Sequence, residues 1–436
     1  MISYIIGINF GHNETTASYY DLQLNCVKNL ILDDKSTSTN KVESAIFRNV
    51  KTGEWQIARD FRDCNSPDFA RNFIVPVNEM TYYKTKEAFA IFVKLVFVQI
   101  LKNQSFLCFN EQTGERNFEV YVSCPFGFVK DEASQIRDYK KFFTGIIPIE
   151  WIISDSMATY FKIKEERSLS KSSVLLIDID SLLINFVAYD ENGKLTYCND
   201  YRHGNSAIEN LIYEYFEKND ADFNKAKQEG EALCARSDIS WRNCVIDYIK
   251  RQKDGFYDME LSSLFLDLSN RQICNANAKE RVFDCFEILK GKLEIVILAP
   301  YRQTLLNDIN DVKHCLANEI IGMPEVVVLT GAASHMPWLL RLVKESFPDS
   351  CVYRENMISV GLAYYGEAIH KMKPAMEELK TAIATVFHEF NLQSYSTMFT
   401  DYVISRMQEF LEDEHMLEYA KENTNKQKET IRLIKN

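Results

Sequence analysis

Residues 174–197 read V-L-L-I-D-I-D-S-L-L-I-N-F-V-A-Y-D-E-N-G-K-L-T-Y. The spacing predicts an apolar strand, a polar turn at Asp178-Ile179-Asp180-Ser181, a second apolar strand, a turn at residues 190–193 and a third strand. Apolar runs with few interruptions are those buried on both faces. Residues 5–20, I-I-G-I-N-F-G-H-N-E-T-T-A-S-Y-Y, repeat the plan, with a further strand near residues 24–32. A polar side chain closes the first strand in each copy, Asn9 in one and Asp178 in the other. Two such units far apart in the chain predict an α/β protein of two similar lobes, with a ligand held between the two turns.

At 436 residues the chain is expected to form two or more domains. A hydrophobic content of 46%, with 28 Phe and 22 Tyr, supplies sizeable cores. The net charge of -12 speaks against nucleic acid or an anionic membrane as a partner, because both select clustered basic residues. The most apolar stretch, residues 88–101, is interrupted by Lys94 and is too short to span a bilayer. No basic segment precedes the first strand, so no secretory signal is expected. Eleven cysteines lack any Cys-x-x-Cys pair, which fits reduced thiols and a cytoplasmic location. Glycine is scarce, 15 residues in all, against a usual share of ~7%.

The alternation of strands and helices places a first lobe at residues 1–168, with its core in 1–33 and 118–168 and an outer part in 34–117. A second lobe spans 169–370, with its core in 169–218 and 296–370 and an outer part in 219–295; a charged helical tail follows at 371–436. Helical spacing is expected over 85–102, 130–143, 155–166, 206–218, 223–234, 241–252, 279–292, 301–319, 337–347 and 358–370. Asp155 or Ser156 is a suitable N-cap for the third of these. Strands are expected at 118–124, 149–154, 325–330 and 351–353, with a strand pair inside 257–268. Ser359, Ala363 and Gly366 share one helical face and allow close packing.

Four polar constellations carry possible chemistry. The turn Asn9-Phe10-Gly11-His12-Asn13-Glu14-Thr15-Thr16 offers backbone amides and hydroxyls that suit phosphate oxygens, although such residues also make ordinary turns. Asp178 and Asp180 bring two carboxylates to a buried strand end, where they can hold a hydrated Mg²⁺ or orient a water. The run Thr330-Gly331-Ala332-Ala333-Ser334-His335-Met336-Pro337 leads a buried strand through small residues into a helix, so that a flat ligand can approach the backbone and His335 can stack on it. Asp155 stands at a helix start after another buried strand. No Gly-x-Ser-x-Gly elbow and no zinc-type His/Cys spacing occurs.

Taken in order, these segments resemble the actin-like ATPase superfamily, and most closely the nucleotide-binding domain of the seventy-kilodalton heat-shock chaperones. The resemblance covers residues 4–370. The family's first phosphate motif is similar to Gly7-Ile8-Asn9-Phe10-Gly11-His12-Asn13, its connecting motif to Ser154-Asp155-Ser156-Met157-Ala158, and its second phosphate motif to Asp178-Ile179-Asp180-Ser181. Its Gly-Gly before a helix is similar to His203-Gly204-Asn205, and its adenosine motif to Gly331-Ala332-Ala333-Ser334-His335. The resemblance implies a two-lobed fold of duplicated ribonuclease H-like cores, each with an inserted subdomain, that binds ATP or ADP and Mg²⁺ between the lobes. It implies Asp178 and Asp155 as catalytic groups and Asp178 with Asp180 as metal carboxylates, directly or through water. It implies Asn9, Gly11, His12, Asn13, Thr15, Asp180, Ser181, Gly204, Asn205, Gly331, Ala332 and His335 as nucleotide contacts. A lysine facing the adenosine is Lys227 or Lys290, with Lys227 preferred on chain order; Lys94 and Arg71 are the basic residues able to reach over from the outer first lobe. Asn9 stands where the family has an aspartate, and Asp180-Ser181-Leu182 replaces its glycine run. Slow hydrolysis, or a non-hydrolysing scaffold acting on a protein partner through the helical tail, therefore stand side by side; an actin-like filament protein is a further alternative. The peptide-binding sandwich of the chaperones is not expected after residue 370.

Overall fold

The computed structural model describes residues 2–12, 14–32, 40–58, 69–71, 83–110, 112–124, 139–167, 172–180, 183–234, 240–268, 285–318, 322–331, 333–354, 358–389 and 405. The chain is a mixed α/β protein built on two five-strand ladders of the same order.

The N-terminal meander gives β1 (Tyr4–Phe10), β2 (Glu14–Asp21) and β3 (Cys26–Asn29), followed by β4 (Lys41–Glu43), β5 (Ala45–Arg48), β6 (Trp55–Ile57) and β7 (Phe69–Arg71). After helix α1 (Tyr83–Asn103) come β8 (Phe118–Cys124), β9 (Ile149–Ser154) and helix α2 (Asp155–Arg167). The sheet runs β3-β2-β1-β8-β9, with β4 added beside β2. Strand β1 is antiparallel to β2 and parallel to β8, which is parallel to β9. Strands β6-β5-β7 form a separate small sheet in the outer part.

The second meander supplies β10 (Val174–Ile179), β11 (Ile184–Tyr189) and β12 (Leu195–Tyr201), then helices α3 (Ser206–Asn219), α4 (Ala221–Cys234) and α5 (Trp241–Asp258). Strands β13 (Ser263–Asp267) and β14 (Cys285–Leu289) pair with each other. Helix α6 (Ala299–Asn318), β15 (Val326–Thr330), α7 (Pro337–Ser346), β16 (Cys351–Arg354) and α8 (Ile358–Glu389) complete the described chain. This sheet runs β12-β11-β10-β15-β16, again with the first hairpin antiparallel and the last three strands parallel. In each ladder the last strand is followed by a helix, immediately by α2 in one and, after residues 355–357, by α8 in the other.

Side chains alternate across a strand, and the cores follow that alternation. Ile6, Ile8 and Phe10 of β1 enter a core with α1, while Leu175, Ile177 and Ile179 of β10 enter a second core with α3 and α5 to α7. The opposite faces meet in the middle: Ile5, Tyr121, Val174, Leu176 and Val328 share one cluster with Ala158 of α2 and Leu362, Ala363 and Tyr365 of α8. Full burial of each such side chain contributes about 1.5–3 kcal/mol. The approach of α8 is close enough to require glycine. A Cβ on Gly361 would overlap the Ala158 carbonyl of α2, and one on Gly7 would overlap the Ser359 carbonyl. Further along α8, Lys373 Nζ binds Glu119 Oε1 at 2.6 Å and Glu150 Oε2 at 3.2 Å, and His370 Nδ1 lies 3.1 Å from Glu119 Oε1.

Several expectations change. Within the span 279–292, residues 285–289 are not helical: Phe286 and Ile288 point inward with the period of two, and β14 forms from them, before a helical turn at Lys290–Lys292 leads into a π-helix at Leu293–Ile297. The partner of β13 is accordingly β14 and not a strand within 257–268, where α5 extends to Asp258 instead. The helix beginning at Ile358 does not stop near residue 370 but continues to Glu389, past Pro374. The cap of α2 is Ser154, whose Oγ accepts the Met157 amide at 3.1 Å, so Asp155 sits inside the first turn with its carboxylate free of capping duty. Most of the helix expected at 130–143 and residues 390–436 of the tail, other than residue 405, lie outside the described residues.

Candidate functional site

The hairpin turn after β1 and the end of β10 face each other, and a cleft of about 230 Å³ lies between them. Asn9, Gly11 and His12 enter it from the first sheet, Asp155 from the start of α2, and Asp178, Asp180, Gly331 and His335 from the second sheet and its turns. Eight of the sequence-derived positions, spread from Asn9 to His335, are therefore brought together.

The carboxylates dominate its chemistry. Asp178 is the last outward position of β10, opposite Asn185 on β11 and beside Thr330 on β15. Burial, then the charges of Asp180 and Asp155, push its carboxyl well above the usual range, while a hydrogen bond from Asn185 works the other way. The Asp155 carboxyl is pushed up to about 7, by burial first and then by Asp180, against a lowering hydrogen bond with Ser123. Its Oδ1 is buried without a hydrogen-bond partner. Burial and the neighbouring charge of Asp180 thus raise both acids above the range they have in water. Gly331 adopts φ +86° directly beside them, and a Cβ there would overlap Asp178 Oδ1 and the Ile179 carbonyl. Only glycine fits that backbone conformation and that approach.

Around this centre, Asp180 accepts the Asn205 amide through its backbone carbonyl at 2.7 Å, and Asn205 Oδ1 accepts Lys253 Nζ at 2.9 Å. Gly204 and Asn205 are buried and brace the turn from behind without lining the cleft. Asn9 Oδ1 accepts Ser123 Oγ at 3.0 Å. His335 packs edge-on to Tyr257, with ring centroids 6.0 Å apart, and its Nε2 lies 3.8 Å from Asp254 Oδ1.

Two expected contacts fall elsewhere. Thr15 is fully buried and bonds Ser44 Oγ at 3.0 Å, because odd positions of β2 point into the core; its neighbour Thr16 lines the cleft, with a buried Oγ1 that has no partner. Lys227 does not line the cleft but pairs with Glu217 at 2.7 Å on the α3–α4 side, and Lys290 stands over the Phe256 ring. A lysine that does face the cleft from the second half of the chain is Lys250 of α5. Burial lowers its pKa, opposed by Asp254, Glu209 and Glu14. Glu14, Lys41, Asp254 and Asp258 complete the walls, so six carboxylates confront two lysines. The i, i+4 spacing of Lys250, Asp254 and Asp258 on α5 was the available sequence signal. Arg251, next to Lys250, bridges Glu43 of β4 at 3.0 Å and so ties the two walls together. Asn13, Ser181 and Ala332 lie outside the described residues, and nothing is described of the Arg71 side chain.

Among the described residues no group of three or more His, Cys, Asp or Glu side chains is arranged to hold a metal ion directly. The donor set suits a hydrated divalent cation instead: hard carboxylate oxygens, one of them unpartnered, whose mutual repulsion a cation would relieve. No described helix is long and apolar enough to cross a membrane, and the seven cysteines whose side chains are described are free thiols. No protein-family model matches the sequence, and no curated protein matches it.

Proposed function

We propose that the chain is a divergent, chaperone-like member of the actin-like ATPase superfamily that binds ATP or ADP with Mg²⁺ between its two sheets and hydrolyses ATP slowly or not at all. The observation that carries this reading is the convergence of Asp155, Asp178 and Asp180 with Gly331 at the facing ends of two identically ordered sheets. In the proposed complex a hydrated cation sits at the Asp178–Asp180 edge and screens the phosphates from the acidic walls. Thr16, the Gly11 turn and Lys250 then face the phosphates, and Gly331 and His335 face the base. The cation supplies charge neutralisation, and its binding draws protons from Asp155 and Asp178. The 230 Å³ of the cleft is below the roughly 300–1,000 Å³ usual for small-molecule sites, so a whole nucleotide enters only when the two sheets part.

Thermal unfolding with increasing MgATP or MgADP tests the reading. A saturating ligand at 100 times its Kd raises stability by about 2.7 kcal/mol, and Asp178→Asn abolishes that response. No shift at millimolar nucleotide, with or without Mg²⁺, overturns it.

A second reading, a non-hydrolysing scaffold, is favoured by Asn9. It carries no charge, and its oxygen is already occupied by Ser123. Here the nucleotide, or the cation alone, sets the relation of the lobes, and a protein partner reads it through α8 and the tail. Steady turnover that Asp178→Ala abolishes rejects this second reading.

A further inference from the structure

Helix α1 carries a second stripe besides the one it buries. Phe89, Phe92, Val93, Val96 and Ile100 are sealed in the core. Lys94, Val98 and Leu101, at i, i+4 and i+7, line a pocket of about 500 Å³ together with the buried Phe97, the opposite wall being Phe109 and residues 145–148. That volume falls in the range usual for small-molecule sites, and it is about twice that of the cleft between the sheets. Its walls are Phe, Val, Leu, Ile and Pro, and Val98 is left 51% exposed within them. Among the described residues no acidic side chain lines it. Lys94 is the one charged lining residue described, and among the described residues it makes no ion pair or hydrogen bond. A lysine in a protein of net charge -12 ordinarily finds a carboxylate within reach, and this one has an apolar slot beside it.

We propose that this pocket binds a single-headed apolar anion of the medium-chain aliphatic carboxylate type. The carboxylate pairs with Lys94, and the chain lies between α1 and the Ile146–Pro148 wall. The pocket and its cation are complementary to such a ligand in both parts, whereas an amine or a dianion is complementary in one part or neither. The proposal is independent of the nucleotide reading, since none of these residues lines the cleft.

Calorimetric titration of the full chain with hexanoate, octanoate and decanoate tests it, with octylamine and octanol as head-group controls. Affinity is expected to rise about fourfold per added CH₂ until the pocket is filled. Octanoate is expected to bind up to about fivefold more tightly than octanol, the preference an exposed ion pair supports, and octylamine more weakly than either. Lys94→Glu inverts the head-group order, and Val98→Asp removes octanoate binding while leaving the melting temperature unchanged, because both positions are exposed. Absence of chain-length dependence, equal binding of amine and carboxylate, or octanoate binding indifferent to both substitutions overturns the proposal. Light scattering gives a further outcome: a wild-type dimer that Val98→Asp dissolves, with no octanoate bound, assigns the face to a second copy of the chain and overturns it also.

Discussion

At the end of β1, Asn9 faces Thr16 across the hairpin and Ser123 on the parallel neighbour; at the end of β10, Asp178 faces Asn185 and Thr330 in the same two registers. The backbone surroundings match position for position, and the electrostatics do not. Asn9 is neutral and satisfied by the Ser123 hydroxyl. Asp178 is crowded by two further carboxylates and holds its proton far above the usual range. One ladder order therefore supports a quiet turn and a strained one, and the strain is what a cation can release.

The largest effect tests the frame that makes the comparison possible. Gly361→Val drives a branched side chain into the Ala158 carbonyl where α8 crosses α2, and is expected to cost at least about 3 kcal/mol in urea unfolding. A near-neutral result would show that the two ladders are not held in register by this crossing.

A smaller effect lies in the pH dependence of the cation-free protein. Asp155 has an ordinary value of 3.8 and titrates near 7 when folded, so between those values the folded state binds more protons than the unfolded one. Stability then falls as pH rises from about 4 to 7. Asp155→Asn is expected to flatten that slope and to add about 1–2 kcal/mol at pH 8, read by chemical unfolding at a series of pH values. On the proposed reading, affinity for Mg²⁺ is expected to run the other way and to rise over the same window as the carboxyls lose their protons, which titration with Mg²⁺ at several pH values checks.

Asn9→Asp makes the quiet turn resemble the strained one. It adds a carboxylate to the same cleft, and about 1 kcal/mol of apo stability is expected to be lost at neutral pH and recovered with Mg²⁺. Equal melting temperatures with and without the cation would blunt the comparison. The smallest effect is at the edge. Arg251→Glu removes the Glu43 bridge, whose partners are more than a third exposed, so less than about 1 kcal/mol is expected, vanishing in high salt, together with faster release of a fluorescent nucleotide.

The sequence makes the ladders legible because their strands are uninterrupted apolar runs ending at punctuation: β8 stops before Pro125, β9 at the Ser154 cap, and β15 at Gly331. The three central aspartates were legible for the same reason, since each follows such a run. The rest of the cleft lining was not. Choosing Thr16 over Thr15 requires the register of β2 against β4, and the alternation of two adjacent threonines is silent on which faces out. Lys250 comes from a helix whose charges, taken alone, describe any solvated face. β14 was obscured by neighbouring lysines and glutamates, although Phe286 and Ile288 kept the period of a strand.

Helix α8 begins at Ile358, on the wall of the cleft, and runs for 32 residues, about 48 Å at the usual rise. Its first turns are wedged between both ladders by Gly361 and Gly366, and Lys373 then bolts it to Glu119 and Glu150. Pro374 follows at once, where a backbone amide bond to the previous turn is missing. The helix is thus clamped to the body along its buried half, and the outer fifteen residues, 375–389, continue it beyond a turn that lacks one of its backbone hydrogen bonds.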